Sequence, residues 1–428
     1  MTKMKFIKGG ITAPQGFTAN GLKAGIKQSG KKDLSLIYSD TLCTAAGVFT
    51  TNKVQASCVV VNTKRLKAGK AQAVIVNSGN ANCLTGKKGF EDSLTMAGKT
   101  ADILGLSESH VCVASTGVIG KLLPIKKIVS ALPKLAAGLS KAGGKAAAEG
   151  IMTTDHVAKE AAVEVVIGNP PSRKASARQG KIRIGAMTKG GGMIHPQMAL
   201  PGASAKGYGG PKHATMLCFA STDAAIALPA LRAALDQAVQ KTFNMITVDG
   251  DMSTNDMVLI LANGQAKNKL IVKGTKDFRA FESALESLFL SLAKMMIKDA
   301  EGATKFVEIN VAGAASERDA RMVAKSVAGS TLVKTALFGG DPNWGRIAAA
   351  AGYSGARVDM WKMKIRLGNL LVLQGGGGAQ KDEKAAARIL AKSQVPITVD
   401  LGVGKHGATA YTCDLSTDYV IFNSAYRT

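Results

Sequence analysis

Hydroxyl, glycine and charged side chains gather in ten turn-rich segments of this 428-residue chain. Irregular segments of this kind can assemble a polar site, because they connect the regular elements and carry side chains that act as nucleophiles, donors and charges. The segments are FTTNK (49–53), NSGNAN (77–82), STGVIG (115–120), MTTD (152–155), TKGGGMIHP (188–196), ATML (214–217), TVDGDMSTND (247–256), DAEGATK (299–305), GGDPNWGRIAAAAG (339–352) and NSAYRT (423–428). Residue type alone singles out none of them, because a threonine is far more often a cap, strand or surface residue than a nucleophile.

Two other motifs resemble ligand loops but lack a required residue. AGKT (97–100) looks like the end of a phosphate-binding loop, yet Ser93 stands where that loop needs a glycine. DGDMSTND (249–256) has calcium-loop spacing, yet Thr254 replaces the sharp-turn glycine and Ile260 replaces the bidentate glutamate. The first is rejected as a phosphate site, and the second is interpreted as a polar turn.

The histidines and cysteines give no metal or triad signature. None of the five histidines stands in an HExxH or GxSxG context. None of the six cysteines belongs to a CxxC motif, and most lie in apolar stretches. This indicates buried thiols that pack as small hydrophobic groups. The sequence therefore predicts no metal site.

The net charge of +25 is concentrated in the first half of the chain. Residues 1–214 carry 30 Lys/Arg and 10 Asp/Glu, whereas residues 215–428 carry 25 and 20. The basic residues are scattered and aromatic residues make up only 5%, so a solvated basic surface is favoured over a nucleic-acid site. No apolar run reaches 18 residues, and the first residues lack the apolar core of a secretory signal. We therefore expect no membrane span and a cytoplasmic protein.

Strands and helices that could position these segments alternate along the whole chain. Residues 73–82 and 111–120 each read as a buried strand that runs into a polar turn. Apolar residues spaced by three and four predict a helix from about Lys276 to Ile297, with Thr275 as its N-cap. Residues 305–314 alternate like a strand with one solvated face. This mixture indicates an α/β or α+β class, with loops or insertions predicted at 168–180, 199–213 and 374–384.

Several of these segments, in this order, resemble the ornithine acetyltransferase family of arginine biosynthesis. The similarity runs from about residue 47 to the last residue. It rests on KGGGMIHP (189–196), ATML (214–217), VDGDMSTND (248–256), DPNWGR (341–346) and the terminal pattern N-x4-T (423–428).

The resemblance implies a precursor that cuts itself between Ala214 and Thr215. The freed Thr215 then carries both the nucleophilic hydroxyl and the α-amine that acts as general base, and an α-amine pKa near 8 suits that role. Thr116 and Gly117 are implied to form the oxyanion hole, with a hydroxyl and a backbone N–H as donors.

The family's substrate-contacting positions correspond to Thr153, Lys189, Glu301, Asn423 and Thr428, besides Thr215 itself. Lys189 can pair with a carboxylate and Glu301 with an ammonium group, whereas the other side chains supply directional hydrogen bonds. At the first position the resemblance leaves open whether Thr153 or Thr154 makes the contact.

The implied reaction is ping-pong transfer of an acetyl group from N2-acetyl-L-ornithine to L-glutamate. It requires no metal or organic cofactor. Some members of the family also use acetyl-CoA as donor, and no residue here decides that point. The implied fold is an α/β sandwich of stacked sheets and helices. Its α chain (1–214) and β chain (215–428) are intertwined and assemble as an α2β2 heterotetramer.

The chain departs from the family pattern by extra residues within 199–214, between the KGGGMIHP motif and Thr215. A glycine- and proline-rich insert can loop out and leave both ends in place, because closing a longer flexible loop costs little. It can equally remove the strain that self-cleavage needs. Two other functions therefore stay open: an N-terminal-nucleophile amidase or aminopeptidase that uses water as acceptor, and an uncleaved, non-catalytic protein that binds polyanions.

Overall fold

The computed structural model describes residues 4–168, 180–202, 215–379 and 383–425. The strands of the described residues are β1 (Met4–Ile7), β2 (Phe17–Leu22), β3 (Leu34–Thr50), β4 (Lys70–Asn80), β5 (Val111–Val118), β6 (Lys159–Val166), β7 (Lys181–Lys189), β8 (Met198–Ala199), β9 (Leu217–Thr222), β10 (Met257–Ala262), β11 (Phe306–Ala314), β12 (Lys364–Leu367), β13 (Leu370–Gln374), β14 (Gly377–Gly378), β15 (Gln394–Asp400) and β16 (His406–Cys413). The α-helices are α1 (Ser57–Arg65), α2 (Gly86–Leu104), α3 (Ile125–Ala137), α4 (Gly144–Ile151), α5 (Leu228–Lys241), α6 (Lys276–Lys298), α7 (Glu317–Gly329), α8 (Thr331–Gly339), α9 (Trp344–Gly352), α10 (Glu383–Leu390) and α11 (Thr417–Ala425).

A large mixed sheet forms the centre of the molecule. Its strands follow the order β1-β6-β7-β9-β10-β3-β4-β5, and β2 and β8 pair with β3 away from this path. On strands β7, β9 and β10, one face packs against the core that includes α1 to α4, and the other packs against the core that includes α5 and α6. Covering both faces explains why β10 is a continuous apolar run rather than an alternating one. Strands β9 and β10, from the second half of the chain, lie between β7 and β3 from the first half.

A second, smaller sheet has the order β14-β13-β12-β15-β11-β16. Helices α7 to α10 share an apolar core with it. Its strand β16 also contributes Tyr411 and Cys413 to the core around α5 and α6. The stacked sheet-and-helix architecture expected from the sequence is therefore confirmed.

The elements predicted from periodicity are present with small shifts in their bounds. The helix predicted from Lys276 to Ile297 is α6, and the Thr275 hydroxyl accepts the Phe278 N–H at its start. The strands predicted at 73–82, 111–120 and 305–314 are β4, β5 and β11. The AGKT segment lies inside helix α2, which excludes a phosphate-binding loop there.

The predicted loops fall largely outside the described residues. Residues 169–179, 203–214 and 380–382 are not described, and Ala214 is among them. The residues that flank the first segment pair as antiparallel strands, with Val166 opposite Lys181, as expected of a hairpin. All six cysteines are free and buried, as the sequence predicted. Among the described residues, no helix has both the length and the apolarity needed to cross a membrane.

Candidate active site

A cavity of about 1040 Å³ opens at the ends of β4, β5 and β7. Its lining includes every described residue that the family resemblance assigned to the site. These residues are Thr116, Gly117, Thr153, Lys189, Thr215, Glu301 and Asn423. Thr428 lies outside the described residues, so its predicted contact stays a prediction. Polar groups that converge in one large cleft mark it as the default candidate for a binding or catalytic site.

Thr215 is held at the start of β9 by three neighbouring contacts. Its backbone N–H donates to the carbonyl of Met193, and its hydroxyl lies 2.8 Å from the hydroxyl of Ser253. One residue later, the Met216 N–H donates to the buried carboxyl of Asp256 at 2.6 Å. These contacts leave the side chain of Thr215 facing the cavity in a defined orientation.

Met193 owes its position to an unusual backbone conformation. Its φ of 60° lies in the left-handed region, which is rare for a residue with a side chain. The carboxylate of Asp249 stabilises this conformation by accepting the N–H groups of Met193 and Ile194. The polar turn predicted at 249–256 therefore positions the Met193 carbonyl, which in turn accepts from the nitrogen of Thr215.

Thr116 and Gly117 lie where β5 runs parallel to β4, with Gly117 opposite Gly79. Gly117 has a φ of 129°, and a Cβ there would stand 2.4 Å from the backbone carbon of Gly79. Only glycine fits this close approach between the two strands. The Asn255 amide supports the turn by donating to the carbonyl of Ser115 at 2.7 Å.

Lys189 connects the two candidate catalytic segments although it is almost fully buried. Its ammonium group lies 3.4 Å from the Thr116 hydroxyl and 3.3 Å from the Thr215 carbonyl. Strand β7 pairs with β9 so that Lys189 stands opposite Leu217. The described residues on the two sides of the insert are thus paired in neighbouring strands. Burial lowers the pKa of Lys189, and the charge of Asp155 opposes this shift.

A buried ion network lies behind Lys189. Asp155 accepts the Gly190 N–H at 2.8 Å and the ammonium of Lys159 at 2.7 Å, and Lys159 also pairs with Asp299. Burial alone would raise the pKa of Asp155, but the charges of Lys189 and Lys159 outweigh it and hold the pKa at about 2. Asp155 is thus ionised and stabilises both ammonium groups.

Glu301 forms an acidic part of the lining. It is 5% exposed, and its carboxylate accepts the Asn423 amide at 3.0 Å. Gly192 leaves room for this carboxylate, because a Cβ there would stand 2.0 Å from Oε2 of Glu301. Nearby, the Tyr419 hydroxyl donates to Asp249 at 3.1 Å. A cationic side chain would meet complementary charge here.

Thr153 and Thr154, the two alternatives for one substrate contact, both line the cavity, so their positions do not decide between them.

The sequence analysis missed Ser253, Asp256 and Lys27 as separate site residues. The first two stand within the VDGDMSTND motif, which could have suggested them, whereas no motif contains Lys27. In the described part of the chain, no group of three or more His, Cys, Asp or Glu side chains could hold a metal ion.

Comparisons with known proteins agree with the motifs. The family model of the ArgJ family matches residues 18–428. The arginine biosynthesis bifunctional protein ArgJ of Symbiobacterium thermophilum is 48% identical over 427 residues, which cover 99% of this chain and 100% of that protein. The protein of the same name from Caldanaerobacter subterraneus subsp. tengcongensis is 46% identical, with 99% and 100% covered. A crystal structure of the Bacillus halodurans protein is 42% identical with a TM-score of 0.47, over 48% of this chain and 97% of that one.

Proposed function

This chain belongs to the ArgJ family, and we propose that it transfers an acetyl group from N2-acetyl-L-ornithine to L-glutamate through an acetyl-Thr215 intermediate. The observation that carries the proposal is the arrangement around Lys189. Its ammonium group lies within 3.4 Å of both the Thr116 hydroxyl and the Thr215 carbonyl, inside one cavity. Lys189 thus connects the segment of the nucleophile with the segment of the oxyanion donors, and this supports their action on one acyl group bound in the cavity.

The first half-reaction forms the acetyl-enzyme. The Thr215 oxygen attacks the acetyl carbonyl, and its proton passes to the α-amine of the same residue. The developing oxyanion accepts hydrogen bonds from the Thr116 hydroxyl and the Gly117 N–H. When the amide C–N bond breaks, the α-amine returns the proton to the departing nitrogen, and ornithine leaves.

The second half-reaction reverses these roles with a different amine. The free α-amine of glutamate attacks the acetyl ester, a new C–N bond forms, and the bond to the Thr215 oxygen breaks. The amine's surplus proton passes through the Thr215 α-amine to the leaving oxygen, so the enzyme is regenerated with N-acetylglutamate as product. The carbonyl of Met193, which accepts from the Thr215 nitrogen, orients the base throughout.

The mechanism needs a free amine at Thr215, so we propose self-cleavage after Ala214. This gives an α chain of residues 1–214 and a β chain of residues 215–428. Interleaving of the two halves in the large sheet, where β9 and β10 lie between β7 and β3, supports chains that stay together after the cut. We further propose an α2β2 assembly, a cytoplasmic location and acetyl-CoA as a second acetyl donor.

Intact mass and N-terminal sequencing of the purified protein test this proposal. We expect two chains, one of which begins Thr-Met-Leu-Cys, and formation of N-acetylglutamate from N-acetylornithine and glutamate. A Thr215→Ala variant should stay whole and inactive. A single uncut chain without transferase activity would contradict the catalytic proposal and leave only the fold and the family. Release of acetate without glutamate would indicate hydrolysis instead of transfer.

A further inference from the structure

The lining of the cavity carries two groups of charge that belong to different segments. The acidic group contains Glu301 and Asp249. Besides the buried Lys189 of β7, lysines from the loop before β3, the segment before α3 and the first turn of α3 form a basic group. If the proposed function holds, one cavity must accept two amino acids with opposite side-chain charges. Ornithine carries a side-chain ammonium, and glutamate carries a side-chain carboxylate of similar reach. A carboxylate next to Glu301 would meet like charge at short range.

Apart from Lys189, which contacts Thr116 and Thr215 at the reacting centre, Lys27 is the lysine of the lining that the fold positions most firmly. The fully buried Asp33 accepts the N–H groups of Ala24, Ile26 and Lys27 at 2.6, 2.6 and 3.0 Å. Three hydrogen bonds to one carboxylate fix the backbone of this loop. Of the lysines of the lining, Lys189 is buried, those at 31, 121 and 127 are exposed, and Lys27 is half-buried.

The stem of Lys27 lies on the backbone next to the oxyanion donors. A Cβ on Gly79 would stand 2.9 Å from Cγ of Lys27, and Gly79 is paired with Gly117 across β4 and β5. The Lys27 ammonium donates to the carbonyl of Lys32 at 2.7 Å, which leaves two further N–H donors. Burial lowers the pKa of Lys27 to about 8, against the opposing charge of Asp33. The group is therefore still mainly charged at neutral pH.

We propose that Lys27 binds the side-chain carboxylate of the acceptor glutamate, whereas Glu301 receives the side-chain ammonium of ornithine. The cavity then has two side-chain subsites around one reacting centre. The α-nitrogen of either substrate lies at the acetyl carbon that the Thr215 oxygen attacks or carries, and the sign of the side-chain charge decides which subsite is filled. Lys27 is thus a specificity-determining residue for the second half-reaction. This inference rests on the proposed function.

The experiment compares L-glutamate with L-glutamine as acceptors in the cleaved, assembled protein. The two differ in charge and hardly in shape, so the ratio of their kcat/KM values isolates the carboxylate contact. Lys27→Met should lower this ratio at least tenfold, mainly through the KM for glutamate, and Lys27→Arg should restore most of it. Lys23→Met, which removes an exposed lysine from the same loop before β3 but outside the lining, is the matched control and should leave the ratio within twofold of the wild type.

A separate assay distinguishes failure of this inference from failure of the proposed function. Exchange of labelled ornithine into N-acetylornithine reports the first half-reaction without any glutamate. If the wild-type protein shows no exchange, the proposed function and this inference both fall. If exchange proceeds but Lys27→Met leaves the glutamate-to-glutamine ratio unchanged, or Lys23→Met lowers it equally, the assignment of Lys27 alone is overturned. If Lys27→Met lowers exchange as much as glutamate transfer, its role is structural and the inference is wrong.

Discussion

The hydroxyl oxygens of Thr215, which lines the cavity, and of the buried Ser253 lie 2.8 Å apart. Ser253 Oγ also accepts the Asn255 N–H at 2.8 Å, which occupies one of its lone pairs. Its remaining donor and acceptor capacity can serve the Thr215 hydroxyl. The Ser253 side chain is fully buried, so this contact sets the rotamer of the proposed nucleophile.

Ser253→Ala should therefore lower kcat about tenfold while the KM for N-acetylornithine changes little, because loss of orientation costs rate more than binding. The measurement is steady-state kinetics on protein shown by mass to be cleaved. Ser35→Ala is the matched control, since Ser35 is equally buried and also loses one hydrogen bond, to the carbonyl of Ala147. Equal loss of kcat in both variants would show that the effect comes from general destabilisation.

The close approach of Gly117 to Gly79 gives a second prediction. Gly117→Ala places a Cβ 2.4 Å from backbone that cannot move aside, so the end of β5 must shift and the proposed oxyanion donors with it. We expect at least 10²-fold lower kcat, the usual consequence of losing such a donor. Gly120→Ala is the control, because its φ of 80° is also left-handed but its Cβ would meet nothing within 4 Å. It should cost about 1 kcal/mol of stability and little activity. Normal turnover in Gly117→Ala would remove Gly117 from the oxyanion hole.

The sequence predicted some parts of the fold and of the candidate site, and missed others. Periodicity and cap residues were enough for α6 and for the strands β4, β5 and β11, because those patterns are local. The family motifs identified Thr116, Gly117 and Lys189 as candidate site residues, and all three line the cavity. The left-handed Met193 and the Asp33-fixed loop that carries Lys27 depend on contacts across the chain. No local pattern encodes such contacts, so only the structure revealed them.

The lowered pKa of Asp155 predicts that the free energy of unfolding depends on pH. Its pKa falls from an ordinary value of 3.8 to about 2 in the folded protein. A depressed pKa contributes stability that is complete above the unfolded value and is lost as pH falls from about 4 towards 2. The contribution is about 2 kcal/mol at neutral pH, of which about half should be lost by pH 3.

Urea unfolding of the protein with Asp155 and of the Asp155→Asn variant, at pH 7 and pH 3, measures this contribution to the free energy of unfolding. Both should be made in a Thr215→Ala background, so that one covalent chain unfolds. Removing one partner of a buried ion network costs about 3–5 kcal/mol, and the difference between the two proteins should be smaller at pH 3 than at pH 7. A difference that does not change with pH would show that Asp155 acts by shape or hydrogen bonding alone.

The buried Glu301 predicts that the two substrates respond differently to one substitution. Glu301→Gln keeps the shape and can still accept from the Asn423 amide, but it removes the charge that would pair with the ornithine ammonium. We expect the KM for N-acetylornithine to rise about tenfold, since one lost charge-assisted contact is worth roughly 1.5 kcal/mol. The KM for glutamate should stay the same or fall, because the variant also removes a repulsive charge. Glu308→Gln, in strand β11 of the smaller sheet, is a control for the loss of a carboxylate outside the cavity lining. If Glu301→Gln raised the KM values for N-acetylornithine and glutamate together, the side chains of both substrates would share one subsite. Selection of the substrate by charge, between Glu301 and Lys27, would then be wrong.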